Sequence, residues 1–116
     1  MLLDFEIKGK SLIVGINTEV DHHSSVILRE KIDKEIEKTS VKNLIFDFKN
    51  VGFMDSSGVG LIIGRYKNIE KVGGKVAIVN LMPQIKRIFE ISGLFKIVSE
   101  FNSIETGFNI LEKGEE

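Results

Sequence analysis

A carboxylate and two hydroxyls stand in a row in Asp55-Ser56-Ser57-Gly58-Val59-Gly60, a run that reads as the start of a helix. At such a start the first backbone N–H groups lack partners and the helix dipole presents its positive end. A hydroxyl placed there can cap the helix, accept a phosphoryl group or, beside a base, act as a nucleophile. One cap is enough, so three candidates in a row ask for a further use. Gly58, Gly60 and Gly64 each weaken a helix by about 1 kcal/mol relative to alanine. Gly60 and Gly64 share one face at spacing four, which lets another backbone come close, either the protein's own sheet or a partner.

The competing chemistries fit less well. A nucleophile elbow needs glycine two residues before the serine and two after; Gly58 meets the second condition and Met54 fails the first. His22, His23, Asp21 and Asp55 offer a base and an orienting acid in principle, but no oxyanion motif accompanies them. Gly58-Val59-Gly60 followed by Gly64 gives GxGxxxG where a dinucleotide fingerprint has GxGxxG, and the Gly-Lys-Ser/Thr of a P-loop does not occur. Asp21-His22-His23 is a poor metal site, because adjacent histidines rarely point at one centre and no further ligand cluster has the spacing. Neither a metal nor a cofactor is expected. Phosphorylation fits better. It adds about −1.5 to −2 charge, which a helix N-terminus tolerates. A partner that had packed against the same surface would then have to desolvate that charge.

The elements that must position these residues follow from periodicity. Leu3, Phe5 and Ile7 alternate with Asp4, Glu6 and Lys8, the pattern of a strand with one wet face. Gly9-Lys10 predicts a tight turn and Ser11 to Ile16 the returning strand. Leu28, Ile32 and Ile36 predict an amphipathic helix over about 25–38, with Asp21, Ser24 or Ser25 as its cap. Leu44 to Phe48 reads as a central strand, and the helix after Asp55 runs to about Val72, ended by Gly73-Gly74. A strand over 75–79, a helix begun by Pro83 and closed by Gly93, a strand over 95–98 and a last helix capped by Ser103 complete the chain. Strands alternating with helices after a hairpin predict an α/β fold: a mixed, mostly parallel sheet with about four helices. Sites in such sheets form where strands run into helix N-termini, which selects the loops 19–25 and 53–60.

Composition bounds the function. The chain has 116 residues, with 16 basic and 17 acidic side chains and a formal charge of −1. That balance argues against a nucleic-acid binder, which needs a basic face, and against a polybasic membrane-surface protein. There is no cysteine, so disulfides, thiolate metal sites and cysteine nucleophiles are excluded. The first residues lack the pattern of a signal peptide, and no apolar run approaches the ~18 residues of a membrane span. A single cytoplasmic domain over 1–112 is expected, monomeric when free, with a polar tail at 113–116 that frays together with Glu112.

Phe53 to Gly60 resembles the phosphorylation motif of the bacterial anti-sigma factor antagonists, the small STAS domains. Val20-Asp21-His22-His23, Gly64-Arg65-Tyr66-Lys67, Pro83 with Lys86-Arg87-Ile88-Phe89, and Ser92 to Ile97 resemble the same family in order and spacing. Thr18 departs from the pattern, since glycine is common there in the family. The resemblance implies a STAS-like domain that is no enzyme. Its unmodified form is expected to bind an anti-sigma factor that is also a serine kinase, and so to free a sporulation sigma factor. A partner-switching role in another pathway, such as the general stress response, is the alternative. The kinase would phosphorylate Ser56 and a manganese-dependent PP2C-type phosphatase would reverse it. Asp21, Asp55, Ser57, Gly58 and Gly60 carry over as partner-binding residues.

Overall fold

The two-residue period of the strands decides which side chain goes to which face. The computed structural model describes residues 1–113. β1 (Leu3–Lys8) and β2 (Ser11–Ile16) pair antiparallel, and Gly9 makes the turn at φ +57°. β3 (Asn43–Asp47), β4 (Val76–Val79) and β5 (Ser99–Phe101) follow in parallel, giving one sheet in the order β1-β2-β3-β4-β5. Leu12, Leu44 and Val76 stand in register, as do Ile13, Ile45 and Ala77. The first set faces the main core, built with Leu28 and Ile32 of α1 (His22–Thr39), Leu61, Ile62 and Ile69 of α2 (Ser56–Glu70), and Ile85 and Phe89 of α3 (Pro83–Ser92). The second set faces a smaller core under Ile104, Phe108 and Leu111 of α4 (Ile104–Lys113). The sheet therefore lies between three helices and one, as the α/β expectation requires. Among the described residues, no helix is long and apolar enough to cross a membrane.

Several boundaries move for identifiable reasons. α1 begins at His22 rather than near Ser25, because Asp21 and Ser24 form a reciprocal cap: Ser24 N–H donates to Asp21 Oδ1 at 2.8 Å and Asp21 N–H to Ser24 Oγ at 3.0 Å. The strand expected over 95–98 is instead a 3₁₀ turn, Leu94–Lys96, and the strand starts at Ser99. Gly93 at φ +78° turns the chain, Leu94 and Val98 are buried, and the Phe95 ring packs on Phe89 with centroids 5.5 Å apart. Ile7, expected to face inward, is 54% exposed at the far end of the hairpin. After Glu70 the backbone continues into a Schellman-type stop: Gly73 N–H donates to Glu70 O and Gly74 N–H to Ile69 O. Gly73 sits at φ +77°, and Gly74 lies against the Lys42 carbonyl with no room for a Cβ. Ser103 caps α4 by accepting from Thr106 N–H at 3.1 Å. Glu112 does not fray: it accepts from Ser11 Oγ at 2.6 Å and from Lys10 N–H at 3.1 Å. Of the expected polar tail, Lys113 closes α4, and 114–116 lie outside the described residues.

Candidate functional site

The two loops selected from the sequence meet beyond the carboxyl ends of β2 and β3. Val20 N–H donates to Phe53 O at 3.0 Å and Asp55 N–H to Val20 O at 3.1 Å, a parallel bridge that pairs Val20 with Met54. Asp21 directly follows Val20 and Asp55 directly follows Met54. The bridge therefore sets the N-caps of α1 and α2 side by side, with two carboxylates at two positive helix ends. Thr18, where the family pattern has glycine, is accommodated without strain: Ser40 and Asn80 are the non-glycine residues at positive φ among those described.

Each carboxylate is committed to its own helix. Asp55 Oδ1 accepts from Ser57 N–H at 2.8 Å, and Asp21 is bound to Ser24 as described. The Ser24 N–H bond holds the Asp21 carboxyl below the ordinary carboxylate range, with the Ser24 hydroxyl, the His23 N–H and the His23 charge acting the same way and partial burial opposing them. With Asp55 capping, Ser56 has no capping to do. It is exposed at the first position of α2, and no side-chain hydrogen bond among the described residues holds its hydroxyl. Ser57 is half-buried and turned towards the space between α1 and α2. The two adjacent hydroxyls thus differ in access, Ser56 being the more exposed.

The glycines divide in the same way. At Gly58 an added Cβ would run into Met54 and come within 3.1 Å of Val20 Cγ1. Gly58 is buried and allows the helix start to close on the bridge below it. At Gly60 and Gly64 an added Cβ meets nothing within 4 Å. The close approach expected on their face is therefore not made by the protein's own sheet, and the face is open. Val26 of α1 and Phe53 of the second loop add apolar side chains that are 41% and 48% exposed.

Of the sequence-selected residues, Asp21, Asp55, Ser56 and Ser57 are brought together at the paired helix starts. Gly60 lies one turn along α2, and Gly58 faces inward. His22 and His23 are exposed in the first turn of α1. Sequence reasoning missed Arg65 as a residue of this surface. It is 6% exposed and lines the same groove as Ser57 and Gly60. The signal was a charge on an apolar stripe, since Ile62, Arg65 and Ile69 share one face of α2.

A profile of the STAS domain matches residues 3–107. The chain belongs to the STAS family. It is 39% identical to an anti-sigma F factor antagonist of Paenibacillus polymyxa, over 87% of this chain and 86% of that one. It is 33% identical to an anti-sigma-B factor antagonist of Bacillus subtilis, over 83% of this chain and 86% of that one. Among solved structures, the anti-sigma factor antagonist SpoIIAA in its unphosphorylated form superposes with a TM-score of 0.83 at 29% identity, covering 96% of each chain. This STAS domain therefore shares its whole architecture with a protein whose form is distinguished by phosphorylation.

Proposed function

We propose that this STAS domain is an anti-sigma factor antagonist that works by binding, and that phosphorylation of Ser56 switches the binding off. Its unmodified form engages an anti-sigma factor that is also a serine kinase, which releases the sigma factor that protein holds. The kinase transfers the γ-phosphoryl group of ATP to Ser56 Oγ; ADP leaves and the hydroxyl proton passes to solvent or to a kinase base. A PP2C-type phosphatase hydrolyses the ester and restores the binding form. The role is cytoplasmic, and the free domain is monomeric.

The observation that carries this reading is the division of labour at the start of α2. Asp55 already caps the helix, so the exposed Ser56 can be modified without removing a bond the fold uses. The added charge lies at the positive end of the helix dipole, so the folded domain accepts it. A partner resting on the same surface has to bury it beside Asp21 and Asp55, which costs kcal/mol unless a cation answers it. Asp21, Asp55, Ser57 and Gly60 are the contact residues; Gly58 supports them from below.

Incubation with the cognate kinase and ATP should add one phosphate to the wild type and to Ser57→Ala, and none to Ser56→Ala. Label retained by Ser56→Ala would overturn the assignment. Likeness to the sigma F antagonist favours a sporulation pathway, and likeness to the sigma-B antagonist supports a general stress pathway as the second reading. Calorimetry against purified anti-sigma factors of the two kinds separates them by which one binds.

A further inference from the structure

Between α1 and α2 runs a groove of about 410 Å³ whose lining includes His22, Val26, Arg29, Ser57, Gly60 and Arg65. Its upper end is the paired helix starts. Its lower end holds two arginines, and one of them is unusually placed. Arg65 is 6% exposed, yet among the described residues no acceptor makes a hydrogen bond to its Nε or Nη1. Asp33 Oδ1 lies 2.9 Å from Nε, in charge contact but out of line for a hydrogen bond. A guanidinium offers five N–H donors in a planar fork, and buried donors without acceptors are costly. Burial above all disfavours the Arg65 cation; Asp33 offsets part of that, and the like charge of Arg29 adds to the penalty. Arg65 and Arg29 thus share the foot of an open groove beside Gly60, with Asp33 the carboxylate in contact with Arg65. Such a site favours a further anion.

We propose that the groove docks an acidic side chain of the protein partner, whose carboxylate pairs with the exposed Arg29 and offsets the buried charge of Arg65 behind it. The inference rests on the binding role proposed above and specifies its chemistry. A carboxylate suits the site, because the exposed Arg29 guanidinium can take it in a charge-assisted pair, which places its negative charge beside the buried Arg65 cation. The open face at Gly60 and Gly64 admits the segment that carries the acid. Arg65 stands nine residues after Ser56 along α2, which at 1.5 Å per residue places its Cα about 13 Å from that end of the helix. The partner would therefore be read at two points, by hydroxyl or phosphate at one end and by its own acid at the other.

The test uses the full ¹⁵N-labelled chain and a capped tetraglutamate peptide as probe. The Arg65 Nε–H and the Gly60 and Gly64 amide resonances should shift saturably, beyond the effect of sodium chloride at equal ionic strength. Arg29→Gln, a change at an exposed side chain, should weaken that binding at least tenfold. No shift beyond the salt control, or equal binding by Arg29→Gln, overturns the proposal. Inorganic phosphate moving the same resonances as strongly also overturns it, in favour of a general small-anion site. In a second arm, Arg29→Gln should bind the purified anti-sigma factor at least tenfold more weakly by calorimetry, with partial recovery in Arg29→Lys. Equal binding there removes the groove from recognition and leaves the antagonist role standing. Failure of the wild type to bind removes the antagonist role, and the peptide arm still decides the groove.

Discussion

Alanine at Gly60 should stabilise the domain and alanine at Gly58 should not, although the two positions are two residues apart on one helix. At Gly60 a Cβ meets nothing within 4 Å, and the backbone is ordinary helix inside α2. The substitution therefore gains helix propensity and loses unfolded-state freedom, a stabilisation of about 1 kcal/mol. For a domain of this size, that raises Tm by roughly 4 °C. At Gly58 the same propensity gain is opposed by Met54, which is 3% exposed and has to be displaced, and by Val20 Cγ1 at 3.1 Å. Overpacking of this kind costs about 1–3 kcal/mol, so the net change runs from nearly zero to a loss of about 2 kcal/mol. Binding separates the pair further. The Gly60 methyl projects into the groove that the partner is proposed to fill, so Gly60→Ala should be more stable and bind the anti-sigma factor at least tenfold more weakly. Thermal unfolding followed by circular dichroism and calorimetric titration read the two effects on one sample. A Gly60→Ala protein that melts below the wild type would refute the packing argument, and one that binds as the wild type does would refute the docking argument.

The other expectations are simpler. Ser56→Asp should keep the circular dichroism spectrum of the wild type and lose affinity for the anti-sigma factor; undiminished binding would remove the charge switch. Asp21→Ala should lower Tm by removing the α1 cap. Because the Asp21 pKa is lowered in the fold, chiefly by the Ser24 N–H bond, the ionised cap stabilises fully above the unfolded carboxylate range. That contribution disappears as pH falls through the lowered value; melting of wild type and Asp21→Asn from neutral to acid pH checks it, and a gap that widens in acid would contradict the sign. Gly74→Ala should cost more than ~2 kcal/mol, since the new Cβ meets the rigid Lys42 carbonyl; urea unfolding measures it.

What the sequence made legible was what short-range rules control. Alternation in Leu3 to Lys8, the hairpin turn before Ser11 to Ile16 and the apolar run Leu44 to Phe48 set the strands, Pro83 and Gly93 bounded α3, and the crowding of caps at Asp55 marked the site. The start of α1 was misplaced because the apolar stripe begins only at Leu28. The reciprocal bonds of Asp21 and Ser24 extend a helix that hydrophobic periodicity does not announce. The shift of β5 has a tertiary cause, since Phe95 turns in to meet Phe89 and no local pattern contains that contact. The adjacency of the two caps also depended on a long-range bridge, Val20 with Met54. Arg65 needed both levels: its place on an apolar stripe is visible in the sequence, and its missing acceptors only in the packed structure.

The separation of the two ends of the groove bears on how the switch can work. The proposed phosphorylation would take the domain charge from −1 to about −3, a modest change if it were spread over the surface. At Ser56 it would instead be concentrated at one helix end, while Arg65 already has a carboxylate beside it. The guanidinium is buried and held towards Asp33 at 2.9 Å, and its Cα lies about 13 Å along α2 from Ser56 by helical rise. On the reading proposed above, a phosphate at Ser56 would stand at the helix start beside two carboxylates already committed to their caps. A partner that brings an acid to the arginines would meet attraction at one end of the groove and unanswered negative charge at the other. Basic residues about two and a half turns away would thus let one surface hold its partner in the proposed unmodified state and release it in the phosphorylated one, with no change of fold required.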